Sequence, residues 1–166
     1  MKMKSRLTTV VLLSFLLGIL LTPVTMTSAT KPIEMTVTVT PLNIELNAEP
    51  LPSGIVKVTF WTDQSWTGDW EGIAEQGGTG MMRLTGHGKP MIILDCFGEF
   101  TGTIQGKTGT VIYYMRNNID SEGNYFSAII TILRGTGELE NIRGHGTVGT
   151  VGEDMICRIW VHFDPS

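Results

Sequence analysis

The sequence predicts an all-β protein, a small closed antiparallel barrel of about eight strands. Three observations carry this. From Ile55 onward β-branched and aromatic residues gather in short runs, glycine-rich turns separate them, and no stretch keeps a helical period. Short strands joined by tight turns build a sandwich or a barrel. The 20 glycines favour the barrel, because closure needs small residues where strands bend and cross.

Residues 1–29 read as a signal peptide. Lys2, Lys4 and Arg6 form a positive start, residues 10–21 are a 12-residue apolar run broken only by Ser14 and Gly18, and Pro23 stops any helix. Thr27-Ser28-Ala29 then supplies the small residues a signal peptidase needs. Twelve apolar residues are short of the about 20 that span a bilayer, so contact with the membrane is expected only during export. An uncleaved N-terminal anchor is the alternative. The expected location is the exterior, secreted or in the cell envelope, and periplasmic where the host has an outer membrane.

Removing 29 of 166 residues leaves 137, the size of one domain. The removed segment holds three of the 12 basic residues and no acids, so the net charge moves from −4 to −7 (9 basic, 16 acidic). An acidic domain without a Lys/Arg cluster argues against nucleic acid as a partner. No Asn-x-Ser/Thr sequon is present.

Residues 30–53 form a Pro-rich N-terminal segment, and the barrel domain is expected over 54–166. Within the first, Met35 to Thr40 alternates with period two and suits a half-buried strand. The prolines confine it to an edge or the rim, and both a place in the barrel and a place in a stalk stay open. Strands follow over 55–62, 66–76, 80–85, 91–104, 108–116, 125–133, 144–151 and 155–163. Their punctuation is Gly77-Gly78, Gly86-His87-Gly88, Gly106-Lys107, Glu122-Gly123-Asn124 and Val151-Gly152-Glu153; one helical turn is hinted near residues 138–141.

Alternation assigns faces. Met155, Cys157, Ile159, Val161 and Phe163 share one face of the last strand, with Ile156, Arg158, Trp160 and His162 on the other. Ile92, Leu94, Cys96 and Phe100 share a face opposite Asp95 and Glu99.

Three segments share a theme of glycine, acid, bulky apolar residue and further glycines. They are Gly68-Asp69-Trp70-Glu71-Gly72, Gly98-Glu99-Phe100-Thr101-Gly102 and Gly137-Glu138-Leu139. Reuse of hairpin chemistry explains this more simply than duplication. In a wider frame, residues 67–72, 97–110 (FGEFTGTIQGKTGT), 135–147 (GTGELENIRGHGT) and 161–165 together resemble a bacterial and archaeal family of unknown function whose fold is similar to the allene oxide cyclase barrel. The resemblance covers about residues 55–165 and implies an eight-stranded antiparallel barrel. It implies no reaction, does not require the cysteines, and carries no catalytic residue onto this chain.

Cys96 and Cys157 are the only cysteines. A disulfide between them would close a loop of about 60 residues, contributing roughly 4 kcal/mol; two buried thiols filling space are the alternative. Phe60, Trp61, Trp66 and Trp70 are candidate walls of a ligand cavity, or else ordinary core and rim. The separated His87, His145 and His162 lack metal-ligand spacing, so no metal is expected. Asp95 and Glu99 suit a solvated outer face better than acid/base work. No nucleophile elbow, phosphate loop or dinucleotide fingerprint occurs, and no cofactor is expected.

The sequence therefore points to an exported barrel without catalysis that binds a small apolar molecule or a surface partner. An isomerase- or cyclase-like enzyme acting on a lipid-derived substrate is one alternative, resting on fold analogy. The other is an oligomeric surface protein using Ile156 and Trp160. A cavity with a buried polar group would favour the enzyme, a featureless apolar cavity binding, and a filled barrel assembly.

Overall fold

The computed structural model describes residues 31–84, 90–120, 125–151 and 154–165. Residues 1–29, read above as a signal peptide, and His87 lie outside them. Period-two alternation resolves into eight antiparallel strands: β1 (Ile33–Pro50), β2 (Val56–Gly68), β3 (Trp70–Leu84), β4 (Pro90–Ile104), β5 (Lys107–Asp120), β6 (Tyr125–Gly137), β7 (Ile142–Val151) and β8 (Asp154–Phe163). Each pairs with its neighbours in the chain, and β1 also pairs with β8, closing the barrel in sequence order. No helix among the described residues is long and apolar enough to cross a membrane.

The open question about residues 35–40 is resolved in favour of the barrel. Met35, Val37 and Val39 are buried, and Ile33 to Val39 is hydrogen-bonded to β8 while Val37 onward pairs with β2. The register shifts between Pro41 and Asn43, where proline has no N–H to give the ladder. Beyond it, residues 43–50 pair with β2 alone, so β1 leaves the ring as an arm with Ile44 and Leu46 exposed.

Two strand boundaries differ from expectation. The segment 66–76 divides at Asp69, the end of β2 and the start of β3, and the segment expected at 80–85 continues β3. Gly77 and Gly78 are therefore interior strand residues, because they make room for aromatic rings. A Cβ on Gly78 would lie 2.9 Å from Cε1 of Phe60 inside the barrel, and one on Gly77 would lie 2.6 Å from Cε3 of Trp61 outside. Compact residues beneath rings on both faces look like a turn in sequence and act as packing space in the sheet.

The hint of a helix at 138–141 is a tight turn between β6 and β7, with Leu139 fully buried beneath it. The faces expected for β4 and β8 are those observed. Ile92, Leu94, Cys96 and Phe100 point inward, as do Met155, Cys157, Ile159 and Val161, while Asp95 and Glu99 are exposed.

Two of the three repeated segments now have a shared structural job. Gly68 (φ 107°) precedes Asp69, whose Oδ2 accepts from the Thr36 N–H at 2.7 Å while its own N–H donates to the Thr36 carbonyl at 3.2 Å. Gly137 (φ 63°) precedes Glu138, which makes the same pair of bonds with Thr108, at 2.8 and 3.1 Å. Glycine supplies the left-handed backbone, the acid locks onto the next strand, and the following Trp70 or Leu139 is driven into the barrel end. Glu99 lies within β4, so the third segment shares the residues without the corner.

Candidate functional site

The interior is layered along the barrel axis. At the end holding the Asp69 and Glu138 corners, Trp66 and Trp70 stack at 5.4 Å and 28°, and Phe100 and Tyr113 pack against them at 5.2–5.5 Å. With Ile104, Leu139 and Ile142, all fully buried, these rings plug that end. The Trp70 indole N–H donates to Sδ of Met35 at 3.2 Å.

Above the plug lies a layer of neutral polar groups. Gln64 Oε1 accepts from Trp66 Nε1 at 3.0 Å, and Gln64 Nε2 donates to Gln76 Oε1 at 3.4 Å. The Tyr113 hydroxyl faces both carbonyl oxygens, 3.1 Å from Gln76 and 3.4 Å from Gln64. Asn117 donates through Nδ2 to Cys96 Sγ at 3.2 Å. Gln64, Gln76 and Asn117 are each 1–3 % exposed.

At the other end the barrel opens into a cavity of about 170 Å³. Its wall is apolar: Val58, Phe60, Ile92, Leu94, Ile119 and Met155, extended by Ile44 and Leu46 of the β1 arm. Thr62, Gln64 and Gln76 form its floor. The size is comparable to an apolar cavity of about 150 Å³ that binds benzene and below the about 300–1,000 Å³ of drug-sized sites.

The ionisable groups near this floor are held neutral. Burial pushes the Cys96 thiol up to about 11, against smaller opposing effects of Asn117 and Gln76 hydrogen bonds. Burial raises the Cys157 thiol to about 12 and raises the Tyr113 phenol strongly. A phenol and two thiols in this state hydrogen-bond but do not trade protons near neutral pH.

Of the four aromatic residues read as ligand walls, Phe60 lines the cavity. Trp66 reaches it indirectly, by fixing the Gln64 amide on the floor, and Trp70 belongs to the plug. Trp61 points outward and is 46 % exposed. Cys96 and Cys157 are buried free thiols on the inner faces of β4 and β8, and the bridge weighed from sequence does not join them here.

Gln64, Gln76, Tyr113 and Asn117 went unnoticed in the sequence, although alternation carried the signal. They are the polar members of Val58-x-Phe60-x-Thr62-x-Gln64-x-Trp66 and Val111-x-Tyr113-x-Met115-x-Asn117-x-Ile119, and of the facing β3 positions.

Outside, Asp95 accepts from the Tyr114 hydroxyl and lies 3.9 Å from Arg116, as befits a solvated face. Ile156 and Trp160 are half-buried, with Trp160 against His145 at 6.0 Å. Exposed large apolar residues of the barrel wall lie elsewhere, among them Trp61, Ile73, Phe97, Ile129 and Leu133. Phe97 pairs with Tyr114 at 5.3 Å.

Fold and site thus define a closed eight-stranded barrel with one plugged end and one open, apolar-walled end. The chain belongs to the family described as protein of unknown function (DUF3224), whose model matches residues 36–162. A crystal structure of a protein of unknown function from that family, from Shewanella oneidensis MR-1, is similar at a TM-score of 0.63 and 13 % identity. The match covers 81 % of this chain and 100 % of that one, and it shows a shared fold. No functionally curated protein matches the chain.

Proposed function

We propose that this chain is an exported barrel that binds one small, mostly apolar molecule at its open end without transforming it. The observation that carries this reading is the 170 Å³ cavity with its wall of Val58, Phe60, Ile92, Leu94, Ile119 and Met155. Removing an apolar ligand from water there contributes about 25 cal/mol per Å² buried. The floor is polar, which on its face favours an enzyme. Its groups, however, are two amides and a hydroxyl, backed by the Tyr113 phenol and the Cys96 thiol, both held neutral, and none of these accepts a proton near pH 7. The closed eight-stranded barrel also supports kinship with the allene oxide cyclase-like barrels, and residues 1–29 support export.

The test is a titration with toluene followed on the methyl resonances of Leu94, Ile92, Ile119 and Met155. Saturable shifts at these methyls, abolished when Leu94→Trp fills the cavity, are expected. Absence of any saturable shift overturns the reading. A second reading, docking of a protein partner on the outer wall, is favoured by exposed Trp61 and Phe97. It gains weight if the toluene titration fails and the chain sediments as an oligomer.

A further inference from the structure

We propose that the molecule bound at the open end is neutral and led by a hydrogen-bond acceptor, most simply a ketone carbonyl. That oxygen is received by the side-chain N–H groups of Gln64 and Gln76 on the cavity floor. The inference rests on the cavity-binding reading and adds the ligand's chemical class and orientation to it.

The direction of the hydrogen bonds decides what the floor has left to offer. An indole N–H only donates, so Trp66 fixes the Gln64 amide with its oxygen toward the plug and its nitrogen on the other branch. That nitrogen donates to Gln76 Oε1, which fixes the second amide in turn. Both amide oxygens are therefore occupied, Gln64 by Trp66 and Gln76 by Gln64, and the Tyr113 hydroxyl faces each of them. Two primary amides bring four N–H bonds. One is spent on Gln76 Oε1, and the Gln76 amide also meets the Cys96 thiol, whose sulfur is a weak acceptor. The layer is thus rich in N–H, with its amide oxygens taken from within. Thr62 and Gln76 are cross-strand partners, and with Gln64 they are the polar residues lining the cavity. A molecule that fills the cavity rests its inner end on them.

Charge narrows the class. Among the described residues no charged one lines the cavity, so a carboxylate brought to the floor would lose its hydration without meeting a counter-charge. A ketone oxygen loses far less and takes the N–H groups that no amide oxygen uses, while its apolar remainder lies against Phe60, Ile92, Leu94 and Ile119. Thr62 supplies the competing outcome. Its hydroxyl donates to the Asp63 carbonyl at 3.2 Å, so its oxygen is left to accept from an alcohol. Cyclohexanone, methylenecyclohexane and cyclohexanol separate these cases: rings of one size that end in an acceptor, in no polar group and in a hydroxyl.

The experiment measures the three affinities on the full mature chain and on Gln76→Met, and follows the Gln64 and Gln76 side-chain amide protons in the wild type. Cyclohexanone is expected to move those protons downfield, with its carbonyl stretch below the value in hexane, and methylenecyclohexane to leave them in place. The methylenecyclohexane-to-cyclohexanone ratio of Kd should fall about tenfold in Q76M, the equivalent of one hydrogen bond. Methylenecyclohexane binding by Q76M reports that the cavity is intact, and the wild-type signals decide the matter if the variant does not fold. If cyclohexanol binds more tightly than cyclohexanone and the ketone leaves the amide protons in place, Thr62 is the anchor and this inference is overturned. If the three bind alike and neither the protons nor the ratio responds, the polar layer serves the fold alone. This inference is then overturned while the cavity reading stands. If none of them binds, the cavity reading fails and takes this inference with it.

Discussion

Gly98 lies directly beneath the ring of Tyr113: a Cβ at residue 98 would stand 2.2 Å from Cζ and 2.3 Å from the hydroxyl oxygen. The two are cross-strand partners on β4 and β5, both facing inward. Tyr113 is thereby held where its hydroxyl meets Gln64 and Gln76, so one missing side chain sets the height of the cavity floor. Gly98→Ala is expected to cost about 1–3 kcal/mol by overpacking. Gly149, where a Cβ would meet nothing within 4 Å, provides the control, and Gly149→Ala should fall within about 0.5 kcal/mol of wild type in urea unfolding.

The corner bonds give a second expectation. Asp69→Ala and Glu138→Ala each remove a charged acceptor from a backbone N–H, of Thr36 and Thr108 respectively. Both sites are exposed, so each loss should be about 1 kcal/mol and the two should add, since they clamp different strand pairs. Chemical denaturation of the single and double variants measures this.

Gln64 is the hub of the polar layer. Gln64→Leu leaves the buried Trp66 indole N–H without its acceptor and Tyr113 with Gln76 alone. A loss of about 1–3 kcal/mol is expected, larger than for Tyr113→Phe, which removes a donor and leaves Gln64 bonded to Trp66. Equal losses in thermal unfolding would contradict the central place given to Gln64.

The thiols predict an alkaline weakness. Both are raised in the folded chain from an ordinary 9.0, Cys96 to about 11 and Cys157 to about 12. The folded state thus holds protons that the unfolded state releases. This contribution is fully present below pH 9 and is lost as pH rises through about 11 to 12. The Cys96→Ala/Cys157→Ala variant should show a flatter fall in stability above pH 9. Native thiols should also resist alkylation at pH 8 and react on unfolding.

Much of the fold is legible in the residues because period-two alternation has one physical meaning in a barrel: an inward and an outward face. Cys157-Ile159-Val161 and Leu94-Cys96 obey it without exception. Glycine is where reading fails. Gly68 and Gly77 look alike in sequence, yet one turns the chain at φ 107° and the other lies flat under Trp61 in mid-strand. What distinguishes them is a ring supplied by a different strand, which no local pattern contains. The site was hidden for a related reason. Aromatic residues attract attention as ligand walls, but Trp66 and Trp70 spend themselves on the plug, and the amides Gln64 and Gln76 face the space that remains.

The most direct measurement is native mass spectrometry of the mature chain purified unreduced from an exporting host, beside a denatured aliquot. Binding at the open end predicts a chain lacking its first 29 residues and carrying a small extra mass that disappears on denaturation and is absent from Leu94→Trp. A bare chain, or an extra mass that Leu94→Trp retains, would contradict it.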